Sequence, residues 1–532
     1  MNFQSSEKST FSLTTPLYYV NDSPHIGSAY PTIAADALAR FQRLQGRSVR
    51  FVTGSDEHGQ KIQRTAESLG RTPKEHCDLV VESFKTLWAK LEVKYDRFIR
   101  TTDEPHSAIV NEFFQRVWDN GDIYLSQQKG WYCVSCEEFK EERELLEGKR
   151  CPIHVNKQVE WRDEENYFFR LSNYQEKLEK LYADVPDFIQ PDIRRNEVLS
   201  FVSQGLRDFS ISRVNFDWGF SVPGDPKHTI YVWFDALLGY ITALLEPDQA
   251  PTLENALSKW YPFNVHIIGK DILRFHAVYF PAMLMSAGLP LPDRIFGHGF
   301  LVRDGVKMGK SSGNAIDAIS LVERYGVDAF RYYFLKGIEF GRDGVFDEVR
   351  FVDLCNADLA DNFGNLLNRT LGLIHKNSGG VVPEVEIEPD HPLRVIGETL
   401  GDRVAQAYEA LKFDTACEEA LILLRAGNKY INEQAPWSLY KQGKTQEAEY
   451  VLYSVLESVR LAAYLLAPII PQTSTAVYQQ LGFSVDFNDA SLIDVSNTFP
   501  SQSRWGILRA KQQLQKPHPV FQKLELPIES SA

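Results

Sequence analysis

The sequence predicts a doubly wound α/β domain of the Rossmann type, split by a cysteine-containing insertion and followed by an all-α helix bundle. Three observations carry this. Residues 11–54 read as strand, helix, strand, with polar residues where each strand ends. Three of the six cysteines, Cys133, Cys136 and Cys151, fall within one stretch of short alternating runs. From residue 315 onward apolar residues recur at three- and four-residue spacing, with little strand signal.

Taken in order, residues 11–20 are apolar and β-rich, and Pro24 then breaks the chain. Ile33, Ala34, Ala37, Leu38, Phe41 and Leu44 share one helical face, which Gly46 ends. Residues 49–53 form the next strand and run into Gly54-Ser55-Asp56-Glu57-His58-Gly59, where the carboxyl ends of parallel strands place a binding crevice. From about 118 to 225 the pattern shifts to Trp, Tyr and Cys in short runs with a charged segment, which reads as an insertion. Further strands are expected at 229–234, 265–269 and 294–302, and bundle helices at 350–376, 394–412, 414–433 and 448–466. The chain thus divides into a split α/β domain (1–117 and 226–314), the insertion (118–225), a connecting segment (315–350), a helical domain (351–515) and a tail (516–532).

At 532 residues the chain exceeds a single core. Its net charge of −14 argues against diffuse nucleic-acid binding, which cationic surface drives, and leaves room for a local basic track such as Arg504, Arg509, Lys511 and Lys516. No apolar run approaches the ~18–20 residues that span a bilayer, and no secretory core opens the chain. A soluble cytoplasmic protein with no membrane contact is expected.

Cys133-x2-Cys136 and Cys151-x2-His154 form two knuckles that bring three thiolates and an imidazole together, the closed tetrahedral set of structural zinc. Unrelated core thiols are the alternative, and the paired spacing argues against it. Two other strings concern phosphate. His25-Ile26-Gly27-Ser28 opens the first helix, where an imidazole and backbone donors can meet phosphate oxygens. Lys307-Met308-Gly309-Lys310-Ser311 is a cation pair in a Gly/Ser loop, suited to the charge that develops on a leaving pyrophosphate. Alone, the first is a helix start and the second a solvated loop. Their order, on α/β elements, joins them to attack on the α-phosphate of a nucleoside triphosphate.

The two strings resemble the HIGH and KMSKS signatures of class I aminoacyl-tRNA synthetases. Thr15-Pro16-Leu17-Tyr18-Tyr19-Val20-Asn21, Gly54 to Gly59, Tyr231-Val232-Trp233-Phe234-Asp235-Ala236, Ile268-Gly269-Lys270-Asp271-Ile272 and Asn432-Glu433-Gln434-Ala435-Pro436-Trp437 resemble the methionyl-tRNA synthetase family in particular. The likeness runs from about residue 11 to about 515, and the knuckles resemble the family's single-zinc form. Ser28 stands where the first signature has its second histidine, and Gly309 where the second has a serine.

The resemblance implies that methionine and ATP form methionyl-adenylate, and that methionine then passes to the 3′-end of tRNA(Met), initiator and elongator alike. It implies His25, Ser28, Lys307 and Lys310 as catalytic groups, with Gly27 and Ser311 also at ATP, and Mg2+ accompanying the nucleotide. Methionine would meet Leu17, Tyr19, Asp56 (at its ammonium), Trp233, Ala236, Tyr240, Ile272 and His276. Asn365, Arg369, Pro436 and Trp437 would read the anticodon. By residue type alone, Trp233 and Tyr240 are core aromatics, Asn365 and Arg369 an ordinary helix-face pair, and Trp437 a buried tryptophan. The chain leaves no room for a further dimerising barrel, so a monomer is expected. Three alternatives stay open: a nucleotidyltransferase for a smaller substrate, a synthetase for another amino acid, and an inactive tRNA-binding relative.

Overall fold

The computed structural model describes residues 9–152, 155–214, 216–303, 306–308, 316–489 and 498–527. β1 (Thr10–Tyr19), α1 (Ile26–Leu44) and β2 (Ser48–Asp56) form the first parallel unit. Then come α2 (Gln60–Ser68), α3 (Pro73–Lys90), β3 (Arg97–Arg100) and α4 (Glu104–Asp119). In α1 the apolar face found in the sequence is buried, and Gly46, at φ 81°, lets the chain leave in a left-handed turn.

The insertion starts with β4 (Ile123–Cys133), β5 (Glu138–Lys140) and β6 (Glu160–Phe169), continues through α5 (Gln175–Asp184), β7 (Ile189–Gln190) and α6 (Asp192–Val202), and reaches β8 (Phe209–Ser210). β5, β4, β6 and β8 make an antiparallel sheet in that order. β7 instead pairs with the α/β sheet, so the 118–225 span also supplies that sheet's last strand.

β9 (Ser212–Arg213), β10 (Ser221–Val222) and β11 (Asp225–Ile230) lead into α7 (Val232–Thr242) and α8 (Leu253–Leu257). β12 (Val265–Gly269), α9 (Phe280–Ser286) and β13 (Ile295–His298) complete the fold's second half. The expected strand at 229–234 is corrected here: it stops at Ile230, and Val232-Trp233-Phe234 opens α7. The β-favouring residues of that run lie in a segment buried on nearly every side, where packing overrides propensity. The six-stranded sheet is parallel, in the order β3-β2-β1-β12-β13-β7. Neighbouring residues alternate between its two faces. Phe51 and Ile267 join the core beneath α1, while Val52 and Ile268 join the core beneath α4 and α7.

β14 (Leu301–Arg303) and β15 (Val306–Lys307) pair as a ribbon, and α10 (Ala318–Tyr325), α11 (Val327–Lys336) and β16 (Gly344–Val345) link it to the bundle. The bundle comprises α12 (Glu348–Cys355), a π-helical stretch (Asn356–Gly364), α13 (Asn365–Asn377), α14 (Pro392–Glu409), α15 (Phe413–Gln434), α16 (Pro436–Lys441), α17 (Thr445–Leu466) and α18 (Pro471–Gln480). The apolar faces of α14, α15 and α17 belong to the same core as α1. Much of the expected tail is pinned back. His518 N–H donates to Gln480 Oε1 at 3.2 Å, and the Leu524 N–H donates to Asn356 Oδ1 at 2.8 Å.

Candidate active site

Where β1 meets β2 the register slips. Thr14 lies opposite Val52 but Leu17 opposite Gly54, so β1 carries one extra residue around Pro16. Such a bulge re-aims the side chains beyond it. Leu17, Tyr18 and Tyr19 consequently face a cavity of about 420 Å3 at the carboxyl end of the sheet. His25, Gly27 and Ser28 line the same cavity, as do Asp56, Trp233 and Ile272.

His25 caps α1 with extended backbone, and its Nδ1 accepts the Gly27 N–H at 3.0 Å. The ring lies so close over Gly27 that a Cβ there would stand 2.6 Å from His25 Cε1. The cap thus sets the imidazole at the positive end of α1, where anions are stabilised. Met308 also reaches the cavity and is buried, so the lysine string adjoins the site. The backbone of Lys307 lies in β15, opposite Val302. Gly309, Lys310 and Ser311 are outside the described residues.

Four acidic side chains around the cavity differ sharply in their partners. Glu57 is fully buried and neutralised by Arg100, with Nε–Oε1 at 2.6 Å. Asp235 lies between His58 (Nδ1–Oδ2 2.5 Å) and His106 (Nε2–Oδ1 2.7 Å). Burial opposes its charge, yet the two imidazoles hold its pKa at about 2. Asp56 has no such relief. Its Oδ1 is buried with no hydrogen-bond partner among the described residues. Burial first, then the charges of Asp235, Glu137 and Glu57, push its pKa well above the usual carboxylate range. An alkylammonium in the cavity would supply the missing partner. Glu137 completes the set; burial raises it to about 6.

The opposite wall is aromatic. Trp233 stacks on Phe275 at 4.0 Å between ring centroids, 8° from parallel. Behind it, Tyr240 Oη and His276 Nε2 lie 2.9 Å apart, and His276 Nδ1 faces the Ile272 carbonyl at 3.1 Å. Ala236, Tyr240 and His276 are buried and back the cavity rather than line it. Burial brings His276 down to about 4, so the imidazole is neutral. Sequence reasoning missed Glu137, Phe275, Asp271 and His298, all of which line the cavity. The position of Asp271 and His298 at the ends of β12 and β13 was a usable signal. Glu137 offered none, since only folding turns the knuckle back onto the site.

The chain matches the family "tRNA synthetases class I (M)" over residues 11–158 and 144–371 and the "anticodon binding domain of methionyl tRNA ligase" over 394–526. It is 65% identical over 528 residues to the methionine–tRNA ligase of Nostoc sp., covering 99% of both chains. The chain belongs to the methionyl-tRNA synthetase family. Its activity is that of a class I methionine–tRNA ligase. The chloroplastic/mitochondrial methionine–tRNA ligase of Arabidopsis thaliana is 53% identical, with 98% of this chain and 84% of the relative covered. The Mycobacterium tuberculosis methionyl-tRNA synthetase in complex with methionyl-adenylate superposes with a TM-score of 0.90 at 40% identity, covering 96% of this chain and 99% of that one.

In this synthetase the Cys133, Cys136 and Cys151 sulfurs lie within 4.8 Å of one another, an arrangement that can hold a metal ion. Around them, among the described residues, Val159 is the one buried apolar neighbour, with Trp131 and Leu145 packed alongside, too little to hold the turns by burial. The Cys133 hydrogen bond and then burial drive the Cys136 thiol well up, so neighbouring thiolates there require a cation. The donor set fits a thiophilic metal. His154 is outside the described residues.

In the synthetase's bundle, Arg369 Nη1 donates to Asn432 Oδ1 at 2.9 Å, linking α13 to α15. Asn365, one turn earlier, is exposed and donates to Asp361. Pro436 is buried at the start of α16, and Trp437 beside it is 36% exposed. The tryptophan that residue type alone would bury therefore meets solvent on the same bundle. Among the described residues no helix is long and apolar enough to cross a membrane.

Proposed function

We propose that the cavity binds methionine with its ammonium on Asp56 and its thioether between Leu17, Tyr19, Trp233 and Ile272. Ala236, Tyr240 and His276 form the backing of that pocket, and sulfur suits its aromatic edges. ATP lies across the start of α1, with phosphate oxygens at His25 and Ser28 and the nucleoside drawn close over Gly27. Lys307, Lys310 and Ser311 would hold the β- and γ-phosphates, and Mg2+ bound with the nucleotide would share their charge. The methionine carboxylate oxygen attacks the α-phosphorus, the bond to the leaving oxygen breaks, and pyrophosphate departs. The work asked of the protein is positioning and neutralisation, without a protein nucleophile. The 3′-terminal ribose hydroxyl of tRNA then attacks the acyl carbon, and AMP leaves.

Zinc, held by Cys133, Cys136, Cys151 and His154, would fix the knuckles without an open position for catalytic water. Asn365, Arg369, Pro436 and Trp437 read the anticodon by stacking and hydrogen bonds to splayed bases, in initiator and elongator tRNA(Met) alike. The enzyme works as a cytoplasmic monomer. The observation that supports this reading best is the buried Asp56 Oδ1, which has no hydrogen-bond partner among the described residues and belongs to the same cavity as the stacked Trp233. The test is ATP–pyrophosphate exchange across the twenty amino acids with Mg2+. Exchange with methionine alone is expected; exchange driven by another amino acid overturns the pocket assignment.

A further inference from the structure

The turn after the Cys133–Cys136 pair carries a side chain that faces the amino-acid cavity. Glu137 has a φ of 55°, the left-handed region in which glycine or asparagine is the ordinary occupant. Nothing in the backbone favours glutamate there, so its side chain must account for it. That side chain is only 4% exposed and lines the cavity. Its Oε1 accepts the Tyr19 hydroxyl at 3.2 Å and the Lys61 backbone N–H at 2.8 Å. The carboxylate lies so close to Gly59 that a Cβ on that residue would be 2.5 Å from Glu137 Oε2. The Lys61 ammonium stands 5.4 Å from the centre of the Tyr19 ring. The end of β1, the start of α2 and the cysteine knuckle therefore converge on one carboxylate.

We propose that Glu137 is a positioning residue for methionine: it ties the Tyr19 wall of the pocket to the knuckle, so that order at the cysteines reaches the amino-acid site. The proposal rests on the assignment of Tyr19 to the methionine pocket made above. Tyr19 ends β1 beyond the bulge; its backbone still pairs with Asp56 of β2, which leaves its ring to be held by the hydroxyl bond to Glu137 together with the Ile62 backbone. Glu137 in turn is aimed by a backbone turn that the cysteines close. Removing the acceptor frees the ring; removing the metal frees the turn. Both losses act through Tyr19.

The full-length protein tests this with Glu137→Ala, Glu137→Gln, Tyr19→Phe and the double variant Glu137→Ala/Tyr19→Phe. The readouts are steady-state pyrophosphate exchange, equilibrium dialysis of methionine without ATP, and bound metal. Alanine meets the same left-handed backbone as glutamate, so the substitution does not add strain of its own. Losing one hydrogen bond of this kind predicts a rise of about 10-fold in the methionine KM and Kd for Glu137→Ala, with the ATP KM and the metal content within about twofold of wild type. Glu137→Gln keeps an acceptor oxygen and should restore methionine binding to within about threefold. Tyr19→Phe should match Glu137→Ala, and the double variant should be no worse than either. Chelating the metal should weaken methionine binding in the wild type and add nothing in Glu137→Ala.

Penalties that multiply in the double variant overturn the coupling. So does loss of metal from Glu137→Ala with kcat and both KM values failing together, the signature of a structural role. Unchanged methionine binding in Tyr19→Phe, with Trp233→Ala still impaired, overturns the proposal and leaves the pocket standing. Unchanged binding in both overturns the pocket assignment itself.

Discussion

Asp56 and Asp235 are both buried carboxylates beside one cavity, yet their neighbours prepare them for different work. Two imidazoles keep Asp235 ionised and hold the start of α7, whereas Asp56 has the carboxylates of Asp235, Glu137 and Glu57 around it and the His58 backbone N–H to offset them. Pairing with an ammonium requires Asp56 to lose its proton, so methionine affinity should fall as pH drops through that raised pKa. Asp56→Asn should abolish this dependence and raise the methionine KM by about 100-fold, the scale of a lost charge-assisted hydrogen bond, with the ATP KM little changed; equilibrium dialysis over a pH series checks both. Gly27 is a different kind of single-residue dependence. An added methyl group would strike the His25 ring and dislodge the cap, which costs about 1 kcal/mol. Alanine's helix propensity returns up to about 1 kcal/mol. Gly27→Ala should therefore melt near the wild-type temperature while adenylate formation slows about 100-fold, the usual consequence of a misplaced reacting group. A calorimetric melt and single-turnover adenylation separate the two effects.

At the scale of elements, the segment around His276 couples the pocket to stability. His276 lies in a π-helical stretch (Phe275–Tyr279), and the extra residue per turn brings Phe275 against Trp233 while His276 meets Tyr240. His266 of β12 also packs on Tyr240, its ring 4.8 Å away, and stands 6.2 Å from the His276 ring. Burial depresses both imidazoles, with His276 at about 4 and His266 pushed further by its neighbour. Between the ordinary histidine value near 6.5 and about 4, the unfolded chain takes up protons that the folded chain refuses, so stability declines as pH falls across that window. For His276 alone the loss is about 3 kcal/mol at most. Urea melts at pH 7 and pH 4.5 should show it, and His276→Gln should flatten part of the slope.

Across the whole molecule, a buried ionic hub joins the catalytic helix to the bundle. Asp36 of α1 pairs with Arg40 and with Arg331 of α11, each at 2.7 Å. Arg331 also donates to the carbonyls of Ile469 and Pro468, between α17 and α18, at 2.9 Å each. The helix that carries His25 at its start is thereby tied, near its middle, to the turn that ends α17. Asp36→Asn would leave two buried guanidinium groups without the carboxylate they share, and should cost about 3–5 kcal/mol in a denaturant melt. A loss below about 1 kcal/mol would mean that water reaches the hub on its own.

Local chemistry was legible in the sequence wherever it depends on neighbours along the chain. The α1 face, the cap at His25, the glycine beside it, the paired cysteines and the bundle periodicities are set by residues within a few positions of one another, and the fold class follows from their order. The strand expected at 229–234 misled because its residue types suit a sheet, while burial on nearly every side made the end of it a helix. What only the tertiary structure decided is which charges meet. Nothing along the chain separates Asp56 from Glu57, and Arg100, 43 positions beyond Glu57, makes the distinction by pairing with Glu57. Glu137 reaches Tyr19 across 118 positions of sequence. Hydrophobic period is a short-range property that survives in one dimension, whereas electrostatic pairing in a low-dielectric interior depends on distances of a few ångströms that exist only once the chain has closed.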